Sequence, residues 1–224
     1  YHLSVIDAFS AWDIQKGDTN VIIGIVDTGI DTDHPDLVGR IKKNYNDPID
    51  GVDNDNDGYV DNFIGWDLGD NDNDPETWGH HGNQVTGMAA ANTNNGANIA
   101  AIGYNIMVLP VKIASSTGSL TGAYDGIVYA ADHGADIINC SWGSQNSYSK
   151  YGQDVINYAT INKGALVVAA AGNNNSTNYF YPASYDNVLS VGGTNAADEK
   201  WIQSSSEGSQ FNDKIDVVAP SHNV

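Results

Sequence analysis

Three polar residues in this sequence follow or open segments that are otherwise apolar. Asp27 comes directly after the β-branched run at residues 21–26, His81 opens an alanine-rich stretch, and Asn173 ends a second apolar run. Open α/β sheets build their sites at the carboxyl ends of strands, so side chains in such places are functional candidates. An acid, an imidazole and a carboxamide match the orienting group, the base and the oxyanion donor of an acyl-transfer enzyme. We therefore expect Asp27, His81 and Asn173 to be catalytic.

A second chemical signal lies in an acidic segment. Carboxylates alternate with Asn from Asp53 onward, and Gly58 permits a sharp turn, which is the oxygen-rich spacing of a calcium loop. The twelfth position holds Ile64 instead of Glu, so the segment is not an EF-hand. The predicted Ca²⁺ ligands are Asp53, Asp55, Asp57, Tyr59 and Asp61. The alternation recurs at Asp70, Asp72 and Asp74. The alternative is a solvated acidic turn that holds no ion.

Composition limits the possible functions. The 224 residues are 41% hydrophobic, which is enough for one α/β domain with a sizeable core. The net charge of -19 repels phosphate backbones and argues against nucleic-acid binding, and no apolar run is long enough for a membrane span. The single cysteine, Cys140, excludes an internal disulfide. A start at Tyr1 is compatible with a processed, secreted protein.

Apolar runs alternate with helical patterns along the chain. The predicted helices cover about 81–92, 122–133 and 151–162. The predicted strands are Val21–Val26, Ile106–Ile113, Asp136–Cys140, Gly164–Ala170, Val188–Val191 and Ile215–Ala219. This order predicts an α/β fold with a doubly wound, mostly parallel sheet and helices on both faces. The segment 44–79 is rich in Asp, Asn and Gly, so we expect an acidic surface insertion without a packed element.

Several segments resemble the subtilisin-like serine peptidases, the subtilase family. The matching motifs, in the family's order, are Asp27-Thr28-Gly29-Ile30-Asp31, His34-Pro35-Asp36-Leu37, His81-Gly82-Asn83-Gln84, Ser141-Trp142-Gly143, Ala170-Ala171-Gly172-Asn173 and Tyr181-Pro182-Ala183. One such motif is weak evidence, but several in order are hard to obtain by chance. The resemblance covers nearly the whole chain. It implies a serine endopeptidase in which Asp27 orients His81 and Asn173 donates to the oxyanion.

The chain departs from the family's pattern in two places. Gly82-Asn83-Gln84 stands where the family usually has Gly-Thr-His after the catalytic histidine. The family's nucleophile lies in a Gly-Thr-Ser segment, and residues 1–224 hold neither that segment nor a Gly-x-Ser-x-Gly elbow. We therefore expect residues 1–224 to be the larger, N-terminal part of a subtilisin-like peptidase domain whose C-terminal part is missing. Alone, this part is expected to be inactive.

The resemblance also implies how substrate and metal bind. An extended polypeptide would pair with two backbone edges, beside a first specificity pocket that tolerates large apolar groups. The predicted substrate-binding residues are Gly118, Ser119, Leu120, Ser141, Trp142, Gly143, Ala170, Ala171 and Gly172. A further calcium site would use Asp36 and an Asn-rich loop, with Asn95 as its side-chain ligand. Other expected partners are a C-terminal fragment of the same protein or a propeptide.

Each site residue also has an alternative interpretation. Asp27 could be a satisfied strand-end carboxylate, or a phosphate or metal residue of another doubly wound fold. His80 adjoins His81, and we choose His81 because it directly precedes the glycine. The whole chain could be a calcium-stabilised binding module that has lost catalysis. A nucleotide-binding domain is disfavoured because no Gly-x-Gly-x-x-Gly follows the first strand.

Overall fold

The computed structural model describes residues 1–77 and 79–222. These residues belong to two units. The first unit is Gly17–Ile138, and the second unit combines Tyr1–Lys16 with the chain from Asn139 onward. Trp78, within the segment 44–79, lies outside the described residues.

In the described residues the helices are α1 (His2–Val5), α2 (Ala8–Ile14), α3 (His81–Ala90), α4 (Ala123–Asp132) and α5 (Lys150–Asn157), which continues as a π-helical turn at Tyr158–Asn162. The strands are β1 (Ile22–Asp27), β2 (Trp66–Asp67), β3 (Met107–Lys112), β4 (Ile137–Cys140), β5 (Ser144–Gln145), β6 (Leu166–Ala170), β7 (Phe180–Tyr181), β8 (Val188–Thr194) and β9 (Val217–Pro220). None of these helices has both the length and the apolar composition that a membrane crossing requires.

The first unit contains the parallel strands β2, β3 and β1 in that spatial order. These strands are rich in buried Val and Ile because a parallel sheet is covered on both faces. Lys112 at the end of β3 lies opposite Asp27 on β1 and opposite Asp67 on β2. Three charged residues therefore share the carboxyl edge of this sheet.

Two helices cover opposite faces of β1. Ile25 belongs to a buried cluster with Ala90 of α3, whereas a Cβ atom at Gly24 would lie 2.9 Å from the Cβ of Ala130 in α4. Successive residues of a strand point to opposite faces, so α3 and α4 lie on different sides. Glycine at position 24 allows α4 to approach β1 closely.

The second unit contains a second parallel set, β6, β8 and β9, and the antiparallel pair β5 and β7. Helix α5 begins at a Ser149 cap, whose hydroxyl oxygen accepts the backbone N–H of Gly152 at 3.0 Å. Its buried residues Val155 and Ile156 lie on the apolar face. Strand β4 crosses the sequence boundary between the two units.

The predicted α/β class with mostly parallel strands is confirmed. The predicted strands and helices all occur, with shifted ends. The segment 44–79 differs from its prediction, because β2 lies within it and pairs with β3. Trp66 and Asp67 are buried there. Burial of the large Trp66 ring, and the position of Asp67 opposite Lys112 on β3, stabilise a strand in a segment whose composition disfavours strands. The short elements α1, α2, β5 and β7 were not predicted from the sequence.

Candidate functional site

Asp27 and His81 contact each other in the first unit. Asp27 is the last residue of β1 and only 2% exposed, and its Oδ1 lies 2.8 Å from Nδ1 of His81, the first residue of α3. The same oxygen accepts the backbone N–H of Thr28 at 2.7 Å, and the Thr28 hydroxyl accepts that of Gly82 at 3.0 Å. Two hydrogen bonds therefore join the strand end to the helix start. A Cβ at Gly82 would clash with the Gly29 carbonyl, so this close approach requires glycine.

The Asp27 carboxylate raises the pKa of His81 above its ordinary value. The hydrogen bond that His81 donates to Asp27 is the largest cause, burial of the ring opposes it, and the charge of Asp27 adds to the increase. An ionised carboxylate only accepts hydrogen bonds, so Nδ1 of His81 must donate to it. In the neutral ring Nε2 is then left without a proton and can accept one. The side chain of His81 is 55% exposed, so Nε2 is accessible.

The second unit contains the predicted oxyanion donor, Asn173, which lies just after β6 together with several predicted substrate-binding residues. A cavity of about 260 Å³ is lined by Ser141, Ala170, Ala171, Gly172 and Asn173 from the prediction. Sequence reasoning missed Asn139 and Trp201, which also line it. Asn139 was detectable as a polar residue inside the apolar strand β4, and its amide donates to the Ser141 hydroxyl at 3.0 Å. Trp142 and Gly143 directly precede β5.

Gly118, Ser119 and Leu120 lie in a turn after β3. The backbone N–H of Ser115 donates to the carbonyl of Ser119 at 2.9 Å, and Leu120 forms an antiparallel bridge with Ala114. Leu120 is 49% exposed. We call residues 118–120 the arm: its backbone turns back against the residues that follow β3, and its Leu120 side chain is accessible.

The acidic segment brings together only part of its predicted ligand set. Carboxylate oxygens of Asp47, Asp53 and Asp55 all lie within 4.8 Å of one another. Asp47 is fully buried and was missed, because nothing in the sequence links it to the later alternation. Asp61 instead accepts the backbone N–H groups of Asp50 and Gly51.

The Asp57 carboxylate has other partners than the cluster of Asp47, Asp53 and Asp55. Its Oδ2 lies 2.7 Å from Nε2 of His133, and Asn62 donates to the same oxygen at 2.8 Å. Burial acts to raise the pKa of the Asp57 carboxyl, but the hydrogen bonds from His133, the Tyr59 backbone and Asn62 outweigh it and leave this pKa below its ordinary value. The Tyr59 ring packs edge-on against Trp66.

The predicted residues of the further metal site also meet. The Asn95 amide donates to Oδ1 of Asp36 at 2.7 Å, and Asp36 is 3% exposed. The backbone N–H of Ile99 lies 3.4 Å from the other carboxylate oxygen. The structure thus places the Asn-rich loop against the Asp36 carboxylate.

The sequence model of the subtilase family matches residues 18–224. The chain is 40% identical over 212 residues to a thermophilic serine proteinase of Bacillus sp. strain AK1, and the match spans 94% of this chain and 46% of that protein. It is 38% identical over 217 residues to thermitase of Thermoactinomyces vulgaris, covering 96% and 67% of the two chains. A solved protease of Pseudoalteromonas arctica superposes with a TM-score of 0.72 at 28% identity, over 94% of this chain and 65% of the other. The chain therefore spans about half to two thirds of these relatives.

Proposed function

Because the chain belongs to the subtilase family, we propose that it supplies the acid, the base and the oxyanion donor of a serine endopeptidase. The observation that carries this proposal is the 2.8 Å contact between buried Asp27 and half-exposed His81. Asp27 holds the imidazole in one orientation and one tautomer. His81 removes the proton of a serine hydroxyl and later returns it to the leaving amine.

The oxyanion and the substrate are assigned to groups at strand ends. The Asn173 amide donates to the oxygen that becomes negative during attack on the peptide carbonyl. The backbone at Ser141–Gly143 and at Gly118–Leu120 pairs with an extended polypeptide substrate. The cavity beside Ala170–Gly172 accepts an apolar side chain, because its lining is dominated by small residues.

The serine nucleophile is not among the motifs of residues 1–224. We assign it to a segment outside this sequence, so the 224-residue chain by itself does not hydrolyse peptides. The alternative, a non-catalytic calcium-stabilised module, requires no accessible base. The exposure of the His81 ring next to a buried carboxylate favours the enzyme. Secretion of the protein remains a prediction.

Calcium fits the cluster of Asp47, Asp53 and Asp55. Three carboxylates at this separation repel one another, and hard oxygen donors are the ligands that Ca²⁺ prefers. The two oxygens of Asp47 accept the backbone N–H groups of Asn54 and Asn62, which orients its carboxylate. A bound Ca²⁺ would offset the negative charge of the loop and stabilise it. A second Ca²⁺ at Asp36 and Asn95 would require the Asn95 amide to turn, because its nitrogen donates to Asp36 and its oxygen accepts the backbone N–H of Ala97.

The test compares the 224-residue chain with the full product of its gene. A fluorophosphonate probe should label one serine of the full product and none in the chain alone, and only the full product should hydrolyse casein. Stoichiometric labelling of the chain alone would contradict the position of the nucleophile. A folded full product that binds peptides but neither reacts with the probe nor cleaves casein would support the non-catalytic module instead.

A further inference from the structure

One carboxylate of the acidic segment contacts the turn that precedes the arm Gly118–Leu120. Asp70 Oδ2 accepts the backbone N–H of Ser116 at 2.7 Å, and Asp70 Oδ1 accepts the Ser116 hydroxyl at 3.2 Å. The two residues are 46 positions apart in the sequence. This is therefore a tertiary contact, which forms only when the fold brings the two loops together.

Ser116 lies in the turn that sets the direction of this arm. The backbone N–H of Gly118 donates to the Ser115 carbonyl at 2.8 Å, and the bridge between Ala114 and Leu120 closes the turn. The backbone N–H of Thr121 then donates to Ile113 at 2.8 Å. A group that binds Ser116 therefore restrains the position of the whole arm.

Asp70 is itself held by the sheet. Asp67 Oδ1 accepts the backbone N–H groups of Gly69 at 2.6 Å and of Asp70 at 3.2 Å. The other oxygen of Asp67, which is 1% exposed, lies 2.7 Å from the Lys112 ammonium. Lys112 ends β3 opposite Asp27. A continuous chain of contacts thus runs from the strand beside Asp27, through Asp67 and Asp70, to Ser116.

We propose that Asp70 is a positioning residue, which orders the arm Gly118–Leu120 before an extended peptide pairs with it. This inference rests on the proposed function, because it presumes that the arm binds substrate. Pairing by backbone hydrogen bonds is tighter when the receiving strand is already ordered, since less conformational entropy is lost on binding. Asp70 therefore acts on affinity for long peptides through Ser116 and touches neither the substrate nor the reacting atoms.

The first readout is amide hydrogen exchange, which requires no activity. In Asp70→Ala the Ser116 amide should exchange about tenfold faster, because it loses a hydrogen bond to a charged acceptor. Asp70→Asn retains an amide oxygen as acceptor and should restore much of the protection. Asp72→Ala is the matched control, since within residues 1–77 and 79–222 that exposed carboxylate accepts only the backbone N–H of Asp74. Unchanged exchange of Ser116 in Asp70→Ala would overturn the inference.

The second readout is peptide binding, measured with acetyl-tetraalanyl-phenylalanine amide and with acetyl-phenylalanine amide. Asp70→Ala should weaken binding of the long peptide about three- to tenfold and leave the short peptide unchanged. Equal weakening of both peptides would overturn the inference, because a general loss of structure affects them alike. If the unmutated protein binds neither peptide, the proposed function is contradicted and the inference fails with it, whatever the exchange at Ser116.

Discussion

The first unit contains two pairs of a carboxylate and a histidine with almost the same separation. Asp27 and His81 lie 2.8 Å apart, and Asp57 and His133 lie 2.7 Å apart. Distance alone therefore does not distinguish a catalytic pair from a structural one. The distinction lies in what surrounds each ring.

The two imidazoles differ in how many of their nitrogens are engaged. His81 is bound through Nδ1, and its Nε2 has no hydrogen-bond partner among residues 1–77 and 79–222. In His133 Nε2 faces Asp57, Nδ1 lies 2.7 Å from the Tyr129 carbonyl, and the ring stacks on Tyr129 with centroids 3.8 Å apart. The His133 side chain is 13% exposed, against 55% for His81. The His81 ring is therefore available for proton transfer, whereas the His133 ring connects the acidic segment to α4 through its contacts with Asp57 and Tyr129.

The largest expected effect comes from removing the available ring. His81→Ala should lower kcat of the full gene product by at least about 10⁴-fold, because the serine then has no base. The measurement is steady-state hydrolysis of a peptide ester, with circular dichroism to confirm that the variant is folded.

Two other histidines serve as controls for this prediction. His133→Ala should retain most of the turnover, and so should His80→Ala, which changes the exposed neighbour of His81. If a folded His133→Ala variant loses turnover, the pair of Asp57 and His133 is not merely structural, and the distinction drawn between the two pairs is wrong. Loss of turnover in His80→Ala with retention in His81→Ala would show that the other adjacent histidine is the base.

A smaller effect is expected from the oxyanion donor. Asn173→Ala should lower kcat by about 10²- to 10³-fold, the loss that follows removal of one such donor in a subtilisin. KM should change little, because the oxyanion exists only during the reaction. Asn174→Ala is the matched control on the next exposed residue. If the two variants have equal kcat, Asn173 is not the oxyanion donor.

The second pair belongs to a loop whose stability should depend on calcium. A ligand that binds only the folded state contributes about 2.7 kcal/mol at a hundred times its dissociation constant, so excess chelator should visibly lower the melting temperature. Magnesium should raise the melting temperature less than calcium does, because Mg²⁺ gives up its bound water reluctantly. The measurement is thermal unfolding followed by circular dichroism, with calcium, magnesium or chelator.

Substitution of the carboxylate cluster tests the same prediction. Asp53→Asn combined with Asp55→Asn should reproduce much of the effect of chelation. Asp72→Asn combined with Asp74→Asn makes the same change of charge at two exposed acids and should not. Identical melting curves with calcium and with chelator would mean that the acidic segment is a solvated loop.

The smallest effect concerns pH. The hydrogen bond that His81 donates to Asp27 raises the pKa of His81 above 6.5, so the stability that this pair contributes is fully present below that value. It is lost as the pH rises through the folded-state pKa. The contribution is small because the ring is half exposed to solvent. Nuclear magnetic resonance titration should show the pKa of His81 falling in Asp27→Asn, and an unchanged titration would refute the coupling.

The predictable parts of the site lie where a local pattern and a structural rule coincide. Asp27 was found because a β-branched run ends there and a parallel sheet presents its carboxyl edge. His81 was found because it opens a helical stretch. Asp47 was missed, and Asp57 was grouped with Asp53 although it pairs with His133, because alternation along the chain says nothing about which distant residue each carboxylate contacts in the fold.

The sequence alone determined the α/β class and the order of the main elements, and it predicted Asp27 and His81 as the acid and base of the candidate site, since each follows from periodicity or from a short motif. Tertiary structure decided which carboxylates meet, that β2 forms inside the acidic segment, and that Asp70 contacts Ser116. The physical reason is range: strand and helix patterns act over a few residues, whereas the contacts of β2 with β3, of Asp70 with Ser116 and of Asp57 with His133 join residues separated by 45 to 76 positions. Such contacts form only when the sheet has brought distant loops to the same edge.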